Sequence, residues 1–480
     1  MATPIPSNLA EFTLQEIQRI VGAEWLGNGT DQSRADLSVV GVETDSRKSL
    51  NGKLFVALGG DHFDAHQFVA QAERAGAVAA LVERRVDTAG HMPQLRVKSC
   101  LAALGELARA HRSRFQLPVI AVAGSCGKTT TKAILGALLR ETLTRPVLVT
   151  PGNLNNLIGA PMVLLRLSQE HQAAVVEVGT NQPGEVARLT EIVAPTASIL
   201  TLIDVEHSEG LGDLDSIEME ESAVLRDVGI AIGNTDDARV ARQLASSGAR
   251  VVSYGTTASA DYRVTMSSVG VKGSELVVQR PATEALKFRA PLYGEPQGLA
   301  VAAATAVVEQ VLGCSVSARQ IADSLTKDGV LPAGRLRVVE LSDGSLVVDD
   351  AYNANPASVN AAIKVAYQLA ANGDGALRRV HLVLGEMREL GRLSEREHCR
   401  IGDRLAHLAP TSVTAVAGDA RLFLRGLAQD SASSFVGNWQ SAWDALAPEL
   451  QPGDVVLVKG SRGVQLDCLV NAMLSEIGEN

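Results

Sequence analysis

Nine residues, AGSCGKTTT at 123–131, constrain this chain more than any other stretch. They follow an apolar run at 118–123 and lead into 129–140, where Ala133, Ile134, Ala137 and Leu138 recur on one helical face. Strand, glycine-rich loop and helix in that order aim main-chain N–H groups and the positive end of a helix at phosphate oxygens. In such a loop Lys128 neutralises the β and γ phosphates, and the Thr129 hydroxyl is placed to ligate Mg²⁺. The longer GxxxxGK[ST] pattern wants glycine where Val122 stands, so this is the shorter GxxGKT loop. Its rival is a glycine-rich turn that merely starts a helix.

A strand followed by a crossover helix calls for a parallel sheet, and the pattern repeats. Apolar runs at 173–178 and 197–203 are each trailed by a polar turn and a helical segment. From 250 to 292 the pattern changes to alternating short strands around Gly270 and Gly273, an antiparallel flap on the same domain. Up to about residue 115, short apolar runs at 54–58 and 77–82 are separated by helical stretches such as 66–75. Beyond 331 a hairpin over 336–348 turns at Asp343 and Gly344, and apolar strands at 381–385, 412–418 and 454–460 alternate with helices. The expectation is an α/β chain of three domains: a small α/β unit over 1–116, a parallel-sheet unit with the phosphate loop and flap over 117–330, and a Rossmann-like unit over 331–480. A chain of 480 residues suits three domains at roughly 150 residues each.

A net charge of −10 argues against a nucleic-acid partner, and 46% hydrophobic with 20% charged residues is globular rather than disordered composition. The opening MATPIPSNLAEF lacks the basic and apolar regions of a secretory signal. The most apolar long stretch, 299–312, is Ala-rich, broken by Glu309 and shorter than the roughly 20 residues of a membrane span, so it is expected as a core helix. Five scattered cysteines without a CxxC pair suit a reducing cytoplasm.

Several blocks resemble the Mur ligases, ATP-dependent amide-forming enzymes of peptidoglycan precursor synthesis. TDSRKSLNGKLFVALGGDHFDAHQF (44–68) is similar to the family's nucleotide-sugar domain. TPGNLNNLIG (150–159), VVEVGTNQPGE (175–185) and HSEGLG (207–212) resemble the central domain, and DDAYNANPASV (349–359), LGEMRELG (384–391) and VKGSRG (458–463) the last. The YNANP block resembles the member that adds the final dipeptide. The resemblance implies that ATP phosphorylates the terminal carboxylate of UDP-N-acetylmuramoyl-tripeptide, that the amine of D-alanyl-D-alanine attacks this acyl phosphate, and that phosphate leaves. Such chemistry needs cations more than a nucleophilic side chain, because negative charge gathers on oxygens.

The resemblance also implies site residues. Gly124, Ser125, Cys126, Gly127, Lys128, Thr129 and Thr130 match the phosphate loop, and Glu177 the carboxylate that ligates Mg²⁺ beside Thr129. His207 matches a second-metal ligand, Arg335 a group at the phosphates and Asp350 one at the ribose. Ser46 and Arg47 match the uridine-nucleotide contacts, with Asn153, Asn155 and Asn156 at the edge of that site. A single copy in the cytoplasm is the implied working form. Two departures stand out. The family's carbamylated lysine, fourteen positions after the histidine, is Glu221 here, and the expectation is that Glu221 replaces the carbamate, through a water or with Glu220; the rival is that Glu218, Glu220 and Glu221 form a solvated helix face. Pro296 and Gln297 replace a His and an Asn that contact adenine, leaving the Gln297 amide to bond the adenine edge. Leu157 for an acidic residue and Ser208 for Leu are smaller changes. The alternatives are a divergent relative with weak or no turnover and another amide ligase of this scaffold, such as a folylpolyglutamate-type enzyme.

Overall fold

The structure is a computed structural model describing residues 3–26, 35–60, 63–89, 92–327, 329–371, 377–427 and 432–478. Asp61 and His62 of the first family-like block lie outside the described residues. Two compact units account for the chain: Met1–Ala121 with Leu143–Thr180 and Gly184–Ala197, and Val122–Thr142 with Asn181–Pro183 and Ser198–Asn480.

In the first unit a five-stranded sheet runs in the order Glu24–Trp25, Gln94–Arg96, Ala79–Val82, Leu54–Val56, Val42–Glu43. Its last four strands are parallel. Ala79–Val82 and Leu54–Val56 are buried at every position, as unbroken apolar runs are when both faces of a parallel sheet are covered. The helix Cys100–Arg112 starts where the Ser99 hydroxyl accepts the Ala102 N–H at 3.2 Å. The stretch expected as helix over 66–75 is a 3₁₀ turn, Ala65–Phe68, running into the helix Val69–Arg74. A second parallel pair, Val147–Val149 and Ala173–Glu177, ends at Glu177.

In the second unit Ile230–Asn234 and Arg250–Gly255 pair parallel, and Tyr262–Gly270 adds parallel to the latter. Gly273–Arg280 and Thr283–Ala290 then complete an antiparallel flap. Its strands are eight or nine residues long, longer than the sequence suggested, and Gly270 and Gly273 are the two strand ends that flank the turn between the first two. At Gly273, with φ +96, a Cβ would stand 2.0 Å from the Ala290 carbonyl oxygen. The Ala-rich stretch is the core helix Glu295–Gln310, packed on the flap and on Lys128–Thr142.

The last sheet has the order Arg337–Glu340, Leu346–Asp350, Val455–Lys459, Val380–Gly385, Ser412–Val416, Ala432–Val436. The first pair is the expected hairpin, and the rest are parallel between two apolar layers. The edge strand Ala432–Val436, half exposed and polar, carries no apolar run to announce it. At the amino ends of these strands buried His381 bonds Ser412 Oγ at 2.7 Å through Nδ1 and Asp454 Oδ2 at 3.1 Å through Nε2. At the carboxyl ends lie Asp350 and Lys459.

Candidate active site

The strand Val119–Ala123 delivers the chain into the phosphate loop, and the helix Lys128–Thr142 leaves it. Gly124 has φ +122, and a Cβ there would stand 2.3 Å from Thr201 Oγ1, so only glycine fits. Residues 201–204 brace the loop from below. Ser125 N–H donates to Leu202 O at 2.7 Å, Thr201 Oγ1 to Cys126 O at 2.6 Å, and Asp204 N–H to Ser125 Oγ at 3.1 Å. Lys128 Nζ curls back on the Gly124 carbonyl at 2.5 Å. Lysine and hydroxyl-bearing residues thus open a helix on a braced loop, which is more than a turn that starts a helix.

Three carboxylates surround the lysine and histidine. Glu221 Oε2 accepts the Gly124 N–H at 2.8 Å, and its Oε1 lies 3.8 Å from Lys128 Nζ. Glu206 places one oxygen 3.5 Å from Lys128 Nζ and the other 3.6 Å from His207 Nε2. Glu389 pairs with His207 Nδ1. Burial alone would lower the His207 pKa, but the Glu389 hydrogen bond and the Glu206 charge outweigh it and hold the imidazole above its ordinary value. Burial pushes the Glu221 carboxyl up, against the pull of Lys128.

These contacts correct one expectation. Glu218, Glu220 and Glu221 are all buried on Leu214–Ser222, with Glu218 held by Arg239, Arg242 and Gln243, so this is no solvated face; Asp215, Ser216 and Met219 are the exposed residues of that helix. Glu221 points at the loop's main chain and at Lys128, because its short side chain reaches that floor. The Ser208 substitution also finds a use: its hydroxyl donates to Leu390 O at 2.8 Å and ties the His207 turn to the 384–391 loop.

The last sheet presents its carboxyl edge to the same loop. Burial and the Glu206 charge push the Cys126 thiol up, opposed by the positive charges of Lys459 and Arg335, so these two cations stand within electrostatic reach of the loop. The Arg335 guanidinium stacks over the Tyr352 ring at 4.2 Å. Asp350, expected at a ribose, spends its carboxylate on the Leu336 N–H at 3.1 Å and on buried Lys459 Nζ at 2.6 Å. Gln297, expected at the adenine edge, is buried with both amide atoms on main chain: Oε1 accepts the Tyr293 N–H at 2.7 Å, and Nε2 donates to Arg335 O at 3.1 Å. A cavity of about 160 Å³, lined by Glu206, Asn353, Asn355, Arg388, Glu389 and Arg462, opens beside them. The sequence reading did not single out Lys459, Glu206 or Arg388. Lys459 carried a usable signal, a charged residue at the end of an apolar strand, the same signal that marks Glu177.

In the first unit Glu177 ends its strand buried, with Oε1 accepting from Asn155 Nδ2 at 2.8 Å and its N–H bonded to Thr150 Oγ1 at 3.0 Å. Asn156 Oδ1 accepts the Ile158 and Gly159 N–H groups, so it caps the start of Gly159–Leu164. Exposed Asn153 accepts from Thr3 Oγ1 at 2.9 Å, and Ile5 O accepts from Lys48 Nζ at 2.8 Å, so one N-terminal segment touches both the 44–48 and the 153–156 loops. Arg47 is exposed and forks onto Asp45, whose carboxyl that hydrogen bond holds down at about 2. Ser46, largely buried, lends its carbonyl to Gln71. Glu43, missed in the sequence, organises this loop by accepting the Thr44 N–H and Lys48.

Among the described residues no group of three or more His, Cys, Asp or Glu side chains forms a ready metal cage. Magnesium does not demand one. It commonly takes one or two protein oxygens together with phosphates and waters, and the Thr129 hydroxyl and the Glu177 carboxylate are such donors. His207, committed to two carboxylates, suits the ion less.

Three family models match the chain: the Mur ligase family, catalytic domain over 38–112, the Mur ligase middle domain over 122–308, and the Mur ligase, glutamate ligase domain over 334–462. Over 476 residues the chain is 34% identical to the UDP-N-acetylmuramoyl-tripeptide–D-alanyl-D-alanine ligase of Escherichia coli (strain K12), covering 97% of this chain and 99% of that one. A crystal structure of MurF from Acinetobacter baumannii is similar at a TM-score of 0.84 and 32% identity, over 98% of this chain and 100% of that one. MurF ligase from Thermotoga maritima, solved in complex with ADP, gives a TM-score of 0.80 at 26% identity, over 91% of this chain and 97% of that one. With likeness running the length of the chain and a braced phosphate loop at its centre, this protein belongs to the Mur ligase family.

Proposed function

We propose that the chain is an ATP-dependent, ADP-forming ligase that joins D-alanyl-D-alanine to UDP-N-acetylmuramoyl-tripeptide in the cytoplasm, working as a single copy in peptidoglycan precursor synthesis. The observation that carries this reading is the phosphate loop with Lys128, faced by Arg335 and Lys459 from the last sheet, in a chain alike from end to end to ligases of that name. The divisions 1–116, 117–330 and 331–480 then serve the nucleotide sugar, ATP and the incoming dipeptide.

Triphosphate binding draws Lys128 from the Gly124 carbonyl onto the β and γ oxygens, while the N–H groups of the loop grip the same oxygens. Arg335 meets the γ-phosphoryl group from the other side, spreading its charge as the bond to ADP breaks. The tripeptide carboxylate takes the phosphoryl group, the dipeptide amine displaces phosphate, and an amide bond is left. The Thr129 hydroxyl and the Glu177 carboxylate are each hard oxygen donors that would suit magnesium, which would supply further neutralisation of phosphate charge. Arg47, with Ser46 and Asn153, binds the uridine nucleotide; Asn155 orients Glu177. Arg388 and Arg462, lining the cavity beside Glu389, hold the dipeptide carboxylate.

Phosphate release measured with and without D-alanyl-D-alanine tests the reading. Release that depends on the dipeptide supports the ligase, whereas nucleotide binding without release favours a relative that has lost turnover. Release with glutamate in place of the dipeptide favours a folylpolyglutamate-type enzyme.

A further inference from the structure

Gln297 sits in the first turn of Glu295–Gln310, 1% exposed, and its carboxamide makes three bonds to main chain. Oε1 accepts from Tyr293 N–H, while Nε2 donates to the carbonyls of Arg335 at 3.1 Å and Leu336 at 3.3 Å. One side chain therefore joins the end of the flap to the strand entry 38 residues later that carries Arg335. The entry itself is strained, since Leu336 has φ +53, a region that bulky L residues rarely occupy. It is pinned from both sides. Gln297 takes the carbonyl of Leu336, and Asp350, anchored on Lys459, takes its N–H. The surroundings are equally close: a Cβ on Gly294 would stand 2.5 Å from Val365 Cγ2, and Glu295 pairs with Lys364 at 3.1 Å.

We propose that Gln297 is a positioning residue that fixes the main chain of Arg335 and Leu336 and so aims the Arg335 guanidinium at the triphosphate. This rests on the role given to Arg335 above. Its amide is buried, with both donor hydrogens and the oxygen engaged on main chain, so Gln297 acts on nucleotide through Arg335 and not through adenine. It combines an acceptor for one segment with donors for the other, which neither an apolar side chain nor a carboxylate reproduces.

The test uses the full chain with Gln297→Met, Gln297→Glu and Arg335→Ala, measuring kcat/KM for ATP and for GTP together with KM for the nucleotide-sugar substrate. Gln297→Met keeps the volume and loses the bonds. Gln297→Glu keeps the Tyr293 acceptor and loses the donor to 335 and 336, so it carries the same comparisons should the Met variant not fold. Losing the two donor bonds to the Arg335 and Leu336 carbonyls, which both variants share, is expected to lower kcat/KM for ATP by roughly tenfold, with KM for the nucleotide sugar unchanged. The ratio of ATP to GTP should stay within twofold of wild type. Combined with Arg335→Ala, either Gln297 variant should add no further loss, as expected of residues acting as one unit. A collapsed ATP to GTP ratio would make Gln297 an adenine contact, and losses that multiply would make it merely structural; either result overturns the proposal. An Arg335→Ala variant as active as wild type would instead overturn the role of Arg335, and the proposal with it.

Discussion

Replacing Glu221 separates two roles for its carboxylate, bracing the phosphate loop or ligating a metal in place of a carbamylated lysine. Its Oε1 lies 3.8 Å from Lys128 Nζ, where two unit charges attract by about 4 kcal/mol at an effective dielectric constant of about 20. The same negative charge repels an incoming triphosphate. Glu221→Gln removes the charge and keeps an oxygen for the Gly124 N–H, so KM for ATP is expected to fall or to stay within about threefold. Glu221→Ala removes the oxygen as well. A buried amide without an acceptor is destabilised by about 1–3 kcal/mol, and if nucleotide must restore the loop, KM for ATP rises by about 5- to 150-fold. The assay is ADP formation at varied ATP with saturating Mg²⁺, then at varied Mg²⁺ with saturating ATP. Bicarbonate should leave the wild-type rate unchanged, because position 221 has no lysine to carbamylate. Equal losses in the two variants, or a tenfold rise in the Mg²⁺ requirement of both at unchanged KM for ATP, would refute the loop role.

Lys128→Ala should lower kcat/KM by at least about a hundred- to a thousandfold, the range for removing one preorganised phosphate or oxyanion contact. The Lys128 side chain is only 11% exposed and stands between Glu206 and Glu221, so the variant should also melt earlier by calorimetry; an unchanged melting temperature would contradict this. Stability should also depend on the buried histidines. Burial lowers the pKa of His381, so below about pH 6.5 the unfolded chain binds a proton that the folded chain resists, and stability, fully present above that pH, falls as the solution is acidified. Urea midpoints from pH 8 to 5 should fall on the acidic side, and less steeply in His381→Gln; parallel curves would show that His381 contributes nothing.

What the sequence made legible was local. The phosphate loop announces itself because strand, glycines, lysine and threonine are contiguous, and Glu177 because it ends an unbroken apolar run. The central parallel strands of the last sheet were legible for the same reason, their burial on both faces leaving them mostly apolar, with His381 as an exception. The partners of Glu221 and Gln297 were not, since Gly124 lies 97 residues from Glu221 and Arg335 lies 38 from Gln297, and no periodicity encodes where a side chain crosses to. Glu221 reaches the floor of the loop, and Gln297 finds carbonyls within reach. The Ala432–Val436 strand was hidden by its place at the sheet edge, where polar residues are tolerated.

His381, Ser412 and Asp454 show how little a constellation means away from its setting. Hydroxyl, imidazole and carboxylate are joined in the sequence of bonds that arms a hydrolase. Yet they sit at the amino ends of the parallel strands, whereas ligands in open α/β sheets gather at the carboxyl ends. All three are sealed from solvent, and Arg379 grips both oxygens of the carboxylate. A template search by interatomic distance would flag this trio as a protease; its real service is to rivet three strands together at the end of the sheet where no reactant arrives.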